Sequence, residues 1–203
     1  SEEKIGYAFQ GIRDKVILAT KSHAKTGQEL KEHLETSLRN LRTDYIDIYQ
    51  FHNPAFCPKP GDGSGLYEAM LEARRQGKIR FISITNHRMT LAHEAIRSGL
   101  YDTLQFPFCY LATDKDIAVA EACREAGMGF IAYAWLAQYE HVLPIWGVQR
   151  ERELREFLSY IHNPPTLTAA LAAVVERDRA QLQGNFCRGC GYCMPCPAGI
   201  EIN

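Results

Sequence analysis

The 203 residues are 46% hydrophobic and 23% charged, within the ordinary globular range, and fit one large domain with a small appendage. The net charge of −1, with Lys, Arg, Asp and Glu mixed along the chain, leaves no footprint for nucleic acid or an anionic membrane, so small molecules are the expected partners. No apolar run approaches the ~20 residues of a bilayer span, and Ser1-Glu2-Glu3-Lys4 lacks the features of a secretory signal. A cytoplasmic setting is expected, in which the seven cysteines serve metal ligation or redox chemistry rather than disulfides.

Taken in chain order, residues 1–12 read as a helix. Short apolar and β-branched strands follow at 15–20, 45–51, 78–85, 103–108, 129–134 and 142–148. Most are too continuously apolar to be half-exposed, which marks interior parallel strands. Between them lie charge-laced amphipathic helices, GQELKEHLETSLRNL, GLYEAMLEARRQG, TLAHEAIRSGL and DIAVAEACREAGM, several closed by glycine at the C-cap. Repeated βα units around a parallel sheet follow. Strand starts are separated by 30, 33, 25 and 26 residues and then by only 13. A βα unit needs more than about a dozen connecting residues, so residues are expected to be absent around YAWLAQYEH. The opening helix has no strand before it, so a closed sheet would need upstream strands. ERELREFLSYI and TLTAALAAVVERDRAQL read as two further helices joined through Asn163-Pro164-Pro165. The expected division is a barrel over 1–160, a helical linker over 161–184 and a cysteine segment over 185–203.

That segment places Cys187, Cys190, Cys193 and Cys196 at two-residue gaps, with Pro197 after the last. Compact thiolate spacing ending in Cys-Pro is the ferredoxin-type pattern for 4Fe-4S clusters, in which the fourth cysteine ligates the other cluster of a pair. Either all four hold one cluster, or Cys187, Cys190 and Cys193 hold one with a fourth ligand beyond Asn203 while Cys196 reaches a second. Zinc and unligated thiols are the alternatives, although zinc ribbons separate their cysteine pairs by a dozen or more residues. Cys57, Cys109 and Cys123 read as small buried residues.

In a parallel βα barrel the chemistry gathers at the C-terminal ends of the strands. Polar residues recur there: Lys21 after the first strand, His52 after the second, Asn86 and His87 after the third, and Gln105 in the fourth. His87 is read as structural. A solvated lysine and a turn histidine are ordinary features singly, and it is their recurrence at one face that points to a site.

These stretches, in their order, resemble the aldo/keto reductases, and specifically a bacterial branch with a C-terminal 4Fe-4S ferredoxin-type segment. The matching runs are SEEKIGYAF, VILATK, LETSLRNLRTDYIDIYQFHNP, ISITNH, LQFPFCY, GFIAYA, PIWGVQ and FCRGCGYCMPCP. The resemblance implies an α/β (β/α)8 TIM barrel, incomplete as given, with a C-terminal helical extension, binding NADP(H) or NAD(H) across its C-terminal face. It implies that Lys21 and His52 are the catalytic lysine and histidine. The first tunes a proton-donating tyrosine and the second orients the carbonyl. Thr85, Asn86 and Gln105 match the positions that hold the nicotinamide carboxamide. The family's aspartate and tyrosine would lie upstream of SEEKIG, Tyr7 is not a substitute, Glu153 stands where many NADPH-dependent members place a basic residue, and Tyr133 is not assigned as the ring-stacking residue.

The expected activity is NAD(P)H-dependent hydride transfer between a carbonyl and an alcohol, with an attached cluster of one or two 4Fe-4S centres and a redox partner protein. The competing expectation is an iron-sulfur electron-transfer or carrier protein on a catalytically inactive barrel.

Overall fold

The computed structural model describes residues 2–108, 112–133, 142–145, 151–163 and 168–182. Helix α1 (Glu2–Ala8) opens the chain. A short 3-10 turn at Arg13–Lys15 follows, where a strand from Lys15 was expected. The strand β1 instead spans Ala19–Ser22. The delay has a local cause: the Arg13 guanidinium donates to the Val16 carbonyl at 2.9 Å, and the Leu18 N–H donates to the Asp47 carboxylate at 2.9 Å. With one carbonyl and one amide taken by side chains, the ladder starts at Ala19.

Helix α2 (Gly27–Leu41) is capped by the Thr26 hydroxyl, which accepts from Glu29 N–H, and it buries Leu30, Leu34, Leu38 and Leu41 along one stripe. Each fully buried leucine contributes about 1.5–3 kcal/mol. Strand β2 (Ile46–His52), helix α3 (Leu66–Arg75), strand β3 (Ile79–Thr85) and helix α4 (Met89–Ser98) continue the alternation. Strand β4 covers only Thr103–Gln105 rather than 103–108. Pro107 offers no N–H to a ladder, so pairing ends after Phe106 N–H reaches the Ile131 carbonyl. Helix α5 (Asp114–Glu125) begins in a capping box between Thr113 and Asp116. Strands β5 (Gly129–Tyr133) and β6 (Val142–Ile145) and helices α6 (Glu151–His162) and α7 (Ala169–Leu182) complete the described elements.

The six strands form one parallel sheet in chain order, β1-β2-β3-β4-β5-β6. β5 and β6 pair directly, Phe130 beside Val142 and Tyr133 beside Ile145, across the connection where residues were expected to be absent; that connection lies outside the described residues. The principal core joins one sheet face to the helices through Tyr49, Phe51, Ile82, Ile84, Leu104 and Phe130. Side-chain alternation turns Gln50, Ser83 and Thr103 to the other face. There the Gln50 amide donates to the Ser83 hydroxyl at 3.1 Å, the Thr103 hydroxyl donates to the same oxygen at 2.6 Å, and Ser83 donates to the Thr103 carbonyl at 3.1 Å. This satisfied polar layer lies directly below the strand ends. Among the described residues no helix is long and apolar enough to cross a membrane.

Candidate active site

The strand ends converge on one shallow cleft lined by Lys21, His52, Thr85, Asn86, His87 and Gln105, with Phe106 and Pro107 beside them. All five residues expected to serve catalysis and cofactor binding are brought together. Lys21 lies within β1 rather than after it, and its register partner is Gln50 on β2. His52 closes β2 beside Thr85 on β3, which in turn lies beside Gln105 on β4. Parallel pairing therefore places the ends of β2, β3 and β4 at one level, with Lys21 two residues below it on β1.

The turn after β2 is fixed firmly. Asn53 adopts a left-handed conformation, φ 50°, which asparagine tolerates better than most residues. Its N–H donates to the Thr85 carbonyl at 2.9 Å and lies 3.1 Å from the Thr85 hydroxyl oxygen. The Pro54 carbonyl accepts from the Asn86 amide at 3.0 Å and from Arg88 at 2.7 Å, and Asn86 Oδ1 accepts from the Arg88 N–H at 2.9 Å. Loops from two neighbouring strands are thus tied together around His52. Asn86 is buried and each end of its amide holds one loop bond, which leaves one N–H and one lone pair of that amide beyond these contacts. Thr85 and Gln105 are also buried at the cleft.

The electrostatics of the cleft are cationic. Burial lowers the Lys21 ammonium below its ordinary value, although the side chain as a whole reaches solvent. His52 is lowered to about 4, first by burial and then by the positive charges of Lys21, His23 and His87. An imidazole so placed is neutral at ordinary pH, able to donate or accept a hydrogen bond without carrying charge.

Two residues enter the site differently from their sequence reading. His87, read as structural, lines the cleft and acts on His52. His23, not singled out at all, stacks its ring on His52 with centroids 3.7 Å apart. The missed signal was alternation: Lys21 and His23 are two residues apart and so share a face.

Cys57 and Cys123 are buried, as expected, with Cys57 Sγ 3.3 Å from the Tyr101 hydroxyl. Cys109 and the run Cys187, Cys190, Cys193 and Cys196 lie outside the described residues. Among the described residues no group of three or more His, Cys, Asp or Glu side chains is placed to hold a metal. Glu153 lies in α6, and Tyr133 ends β5.

Residues 1–140 match the sequence profile of the Aldo/keto reductase family. The chain belongs to that family. Aldo-keto reductase YhdN of Bacillus subtilis is 39% identical over 151 residues, covering 68% of this chain and 44% of the relative. The uncharacterized oxidoreductase YrpG of the same organism is 27% identical over 202 residues, covering 88% of this chain and 56% of the relative. The chain thus spans about half the length of these relatives. An aldo-keto reductase from Klebsiella pneumoniae solved with NADPH superposes with a TM-score of 0.71 at 19% identity, over 87% of this chain and 74% of that one. That likeness establishes the shared barrel-type fold. The match to the aldo/keto reductase profile ends before the cysteine run.

Proposed function

We propose that this protein is a carbonyl reductase of aldo/keto reductase type that uses NADP(H) or NAD(H), acts on small aldehydes, ketones or the corresponding alcohols, and works in the cytoplasm. The observation that carries the reading is the convergence of Lys21 and His52 with Thr85, Asn86 and Gln105 in one cleft. The residues fit a nicotinamide carboxamide by their chemistry: Thr85 and Gln105 are buried polar side chains at the cleft, and Asn86 has amide capacity beyond its loop bonds. The NADPH bound by the Klebsiella pneumoniae structure of the same fold supports that cofactor. When bound, the nicotinamide supplies a hydride to the substrate carbonyl carbon.

The residues of this chain would do the remaining work. His52, neutral above about pH 4, donates a hydrogen bond that orients the carbonyl oxygen without adding charge. The Lys21 ammonium favours the ionised form of a neighbouring proton-donating phenol and so brings its pKa toward working pH. Thr85, Asn86 and Gln105 hold the carboxamide and thereby choose which ring face meets the substrate.

The reading includes a 4Fe-4S segment held by Cys187, Cys190, Cys193 and Cys196, which exchanges single electrons with a redox partner protein. Its support is the spacing and the following Pro197. The test is twofold on the intact protein. NADPH consumption over a panel of aldehydes and ketones is expected, with loss of about a hundredfold in kcat/KM for Lys21→Met and for His52→Gln. Iron and acid-labile sulfide, quantified after anaerobic purification together with an electron paramagnetic resonance spectrum, are expected in cluster stoichiometry. Cluster without carbonyl turnover would replace this reading with an electron carrier on an inactive barrel; turnover with zinc and no iron would remove the electron-transfer segment.

A further inference from the structure

We infer that His23 is a positioning residue for His52, holding its imidazole plane at the mouth of the cleft by ring stacking. The inference rests on the reductase reading only for its consequence in catalysis; the geometry stands apart from it.

The backbone makes the placement. β1 runs beside β2 with Lys21 next to Gln50 and Ser22 next to Phe51. One further step along both chains brings His23 level with His52. Side chains directly opposite each other on neighbouring strands are the pairs that interact most closely, and the two rings meet at 3.7 Å between centroids with a 34° tilt.

The residue before His23 fixes its direction. Ser22 is buried, its hydroxyl lies 2.7 Å from His33 Nδ1 on α2, and the same oxygen accepts the Ala24 N–H at 3.1 Å. Ser22 is therefore anchored toward the helices, and alternation directs His23 to the opposite side, where His52 stands. A turn bonded across its own tip loses little further entropy in holding that ring. His23 itself is exposed, so its ring covers part of the His52 face on the solvent side.

The charged groups acting on His52 are Lys21 on β1, His23 in the turn after it and His87 after β3. Of these, His23 lies with its ring against that of His52. Its removal would open that face of His52 to water and take away the stacking restraint on its ring, whereas Lys21 and His87 would stay. An orienting imidazole held less firmly spends less time aimed at the carbonyl oxygen, and small misplacements of a catalytic group cost one to two orders of magnitude in rate.

The experiment compares His23→Ala and His23→Phe in the intact protein. The His52 imidazole is followed by nuclear magnetic resonance titration and assigned by the loss of its signals in His52→Gln. In the native protein the midpoint is expected near 4. His23→Ala should raise it toward 6.5 and lower kcat/KM about tenfold. His23→Phe keeps a stacking ring but removes the His23 charge, so it should raise the midpoint less than alanine does and recover most of the activity. A merely structural role would leave the midpoint unmoved. The inference is overturned if His23→Ala leaves the His52 midpoint where it is, or if His23→Phe moves it as far as alanine does. A native protein that turns over no carbonyl substrate would refute the reductase reading alone, because the titration decides the positioning role independently.

Discussion

Replacing Asp47 by alanine should destabilise the fold by about 3 kcal/mol, and the structure shows which of its contacts carry that cost. Its carboxylate is 3% exposed and receives the Leu18 N–H at 2.9 Å, Arg13 at 2.8 Å and Arg80 at 2.8 Å. Arg80 is 62% exposed, so that pair is worth about 0–1 kcal/mol. The Leu18 N–H is buried and would be left without its partner, at about 1–3 kcal/mol. Arg13 is 17% exposed but keeps the carbonyls of Val16 and Tyr45 and the Thr43 hydroxyl, and its guanidinium still lies 3.9 Å over the Tyr45 ring. It is not stranded, and its lost ion pair adds about 1 kcal/mol. Urea unfolding of the native protein, Asp47→Ala and Arg80→Ala at neutral pH would measure the difference. The acid dependence adds a sign. Burial alone would raise the Asp47 pKa, but the bonds from Leu18, Arg80 and Arg13 outweigh it and hold the pKa below 3.8. The stabilisation is therefore complete above the unfolded value and disappears as pH falls through the lower folded value. The gap between native and Asp47→Ala should accordingly close in strong acid. An Arg80→Ala variant that costs as much as Asp47→Ala would refute the reasoning.

Three other outcomes are expected. Gly27→Ala should cost about 1–3 kcal/mol in the same unfolding assay, because the added Cβ would meet the Gly65 carbonyl oxygen at 2.3 Å, a backbone atom that has no rotamer to yield. Thr113→Ala, which removes the hydroxyl that caps α5 and reaches Asp116, should lower stability by about 1 kcal/mol. With His52 lowered to about 4 by burial and its cationic neighbours, the pH profile of kcat/KM should show no limb from His52 near 6.5. The same shift means that the unfolded chain takes up this proton first as pH falls, so stability should decline between 6.5 and about 4.

The parallel strand order was legible because apolar runs alternate with amphipathic helices, and the site was legible because polar residues interrupt those runs at one end. Lys21, His52, Asn86 and Gln105 share the cleft for that reason, and Thr85, which only the family resemblance singled out, joins them beside His52. Two things were hidden. The late start of β1 depends on Asp47, a residue 29 positions away whose carboxylate takes the Leu18 N–H, and no local propensity encodes that contact. The stacking of His23 on His52 depends on register between neighbouring strands, which fixes partners only once the pairing is known. His87 reads as structural from its place at the head of a loop, and its position at the cleft shows only once its neighbours are placed.

Strand β2 shows how stability and chemistry are separated along a single element. Asp47 stands near its N-terminal end, buried and clamped to Leu18, Arg13 and Arg80. Gln50 in its second half donates into the Ser83 and Thr103 layer, where the Ser83 oxygen receives two donors and gives its own proton to a carbonyl. His52 closes the strand at the cleft. In barrel folds the N-terminal strand ends serve stability while the C-terminal ends carry chemistry, and here the two roles lie five positions apart on one strand. The polar layer between them bonds β2 to β3 and β3 to β4 in register below the cleft. A perturbation at Asp47 should therefore lower the unfolding midpoint while leaving kcat/KM per folded molecule close to native, whereas a perturbation of Gln50 should disturb both.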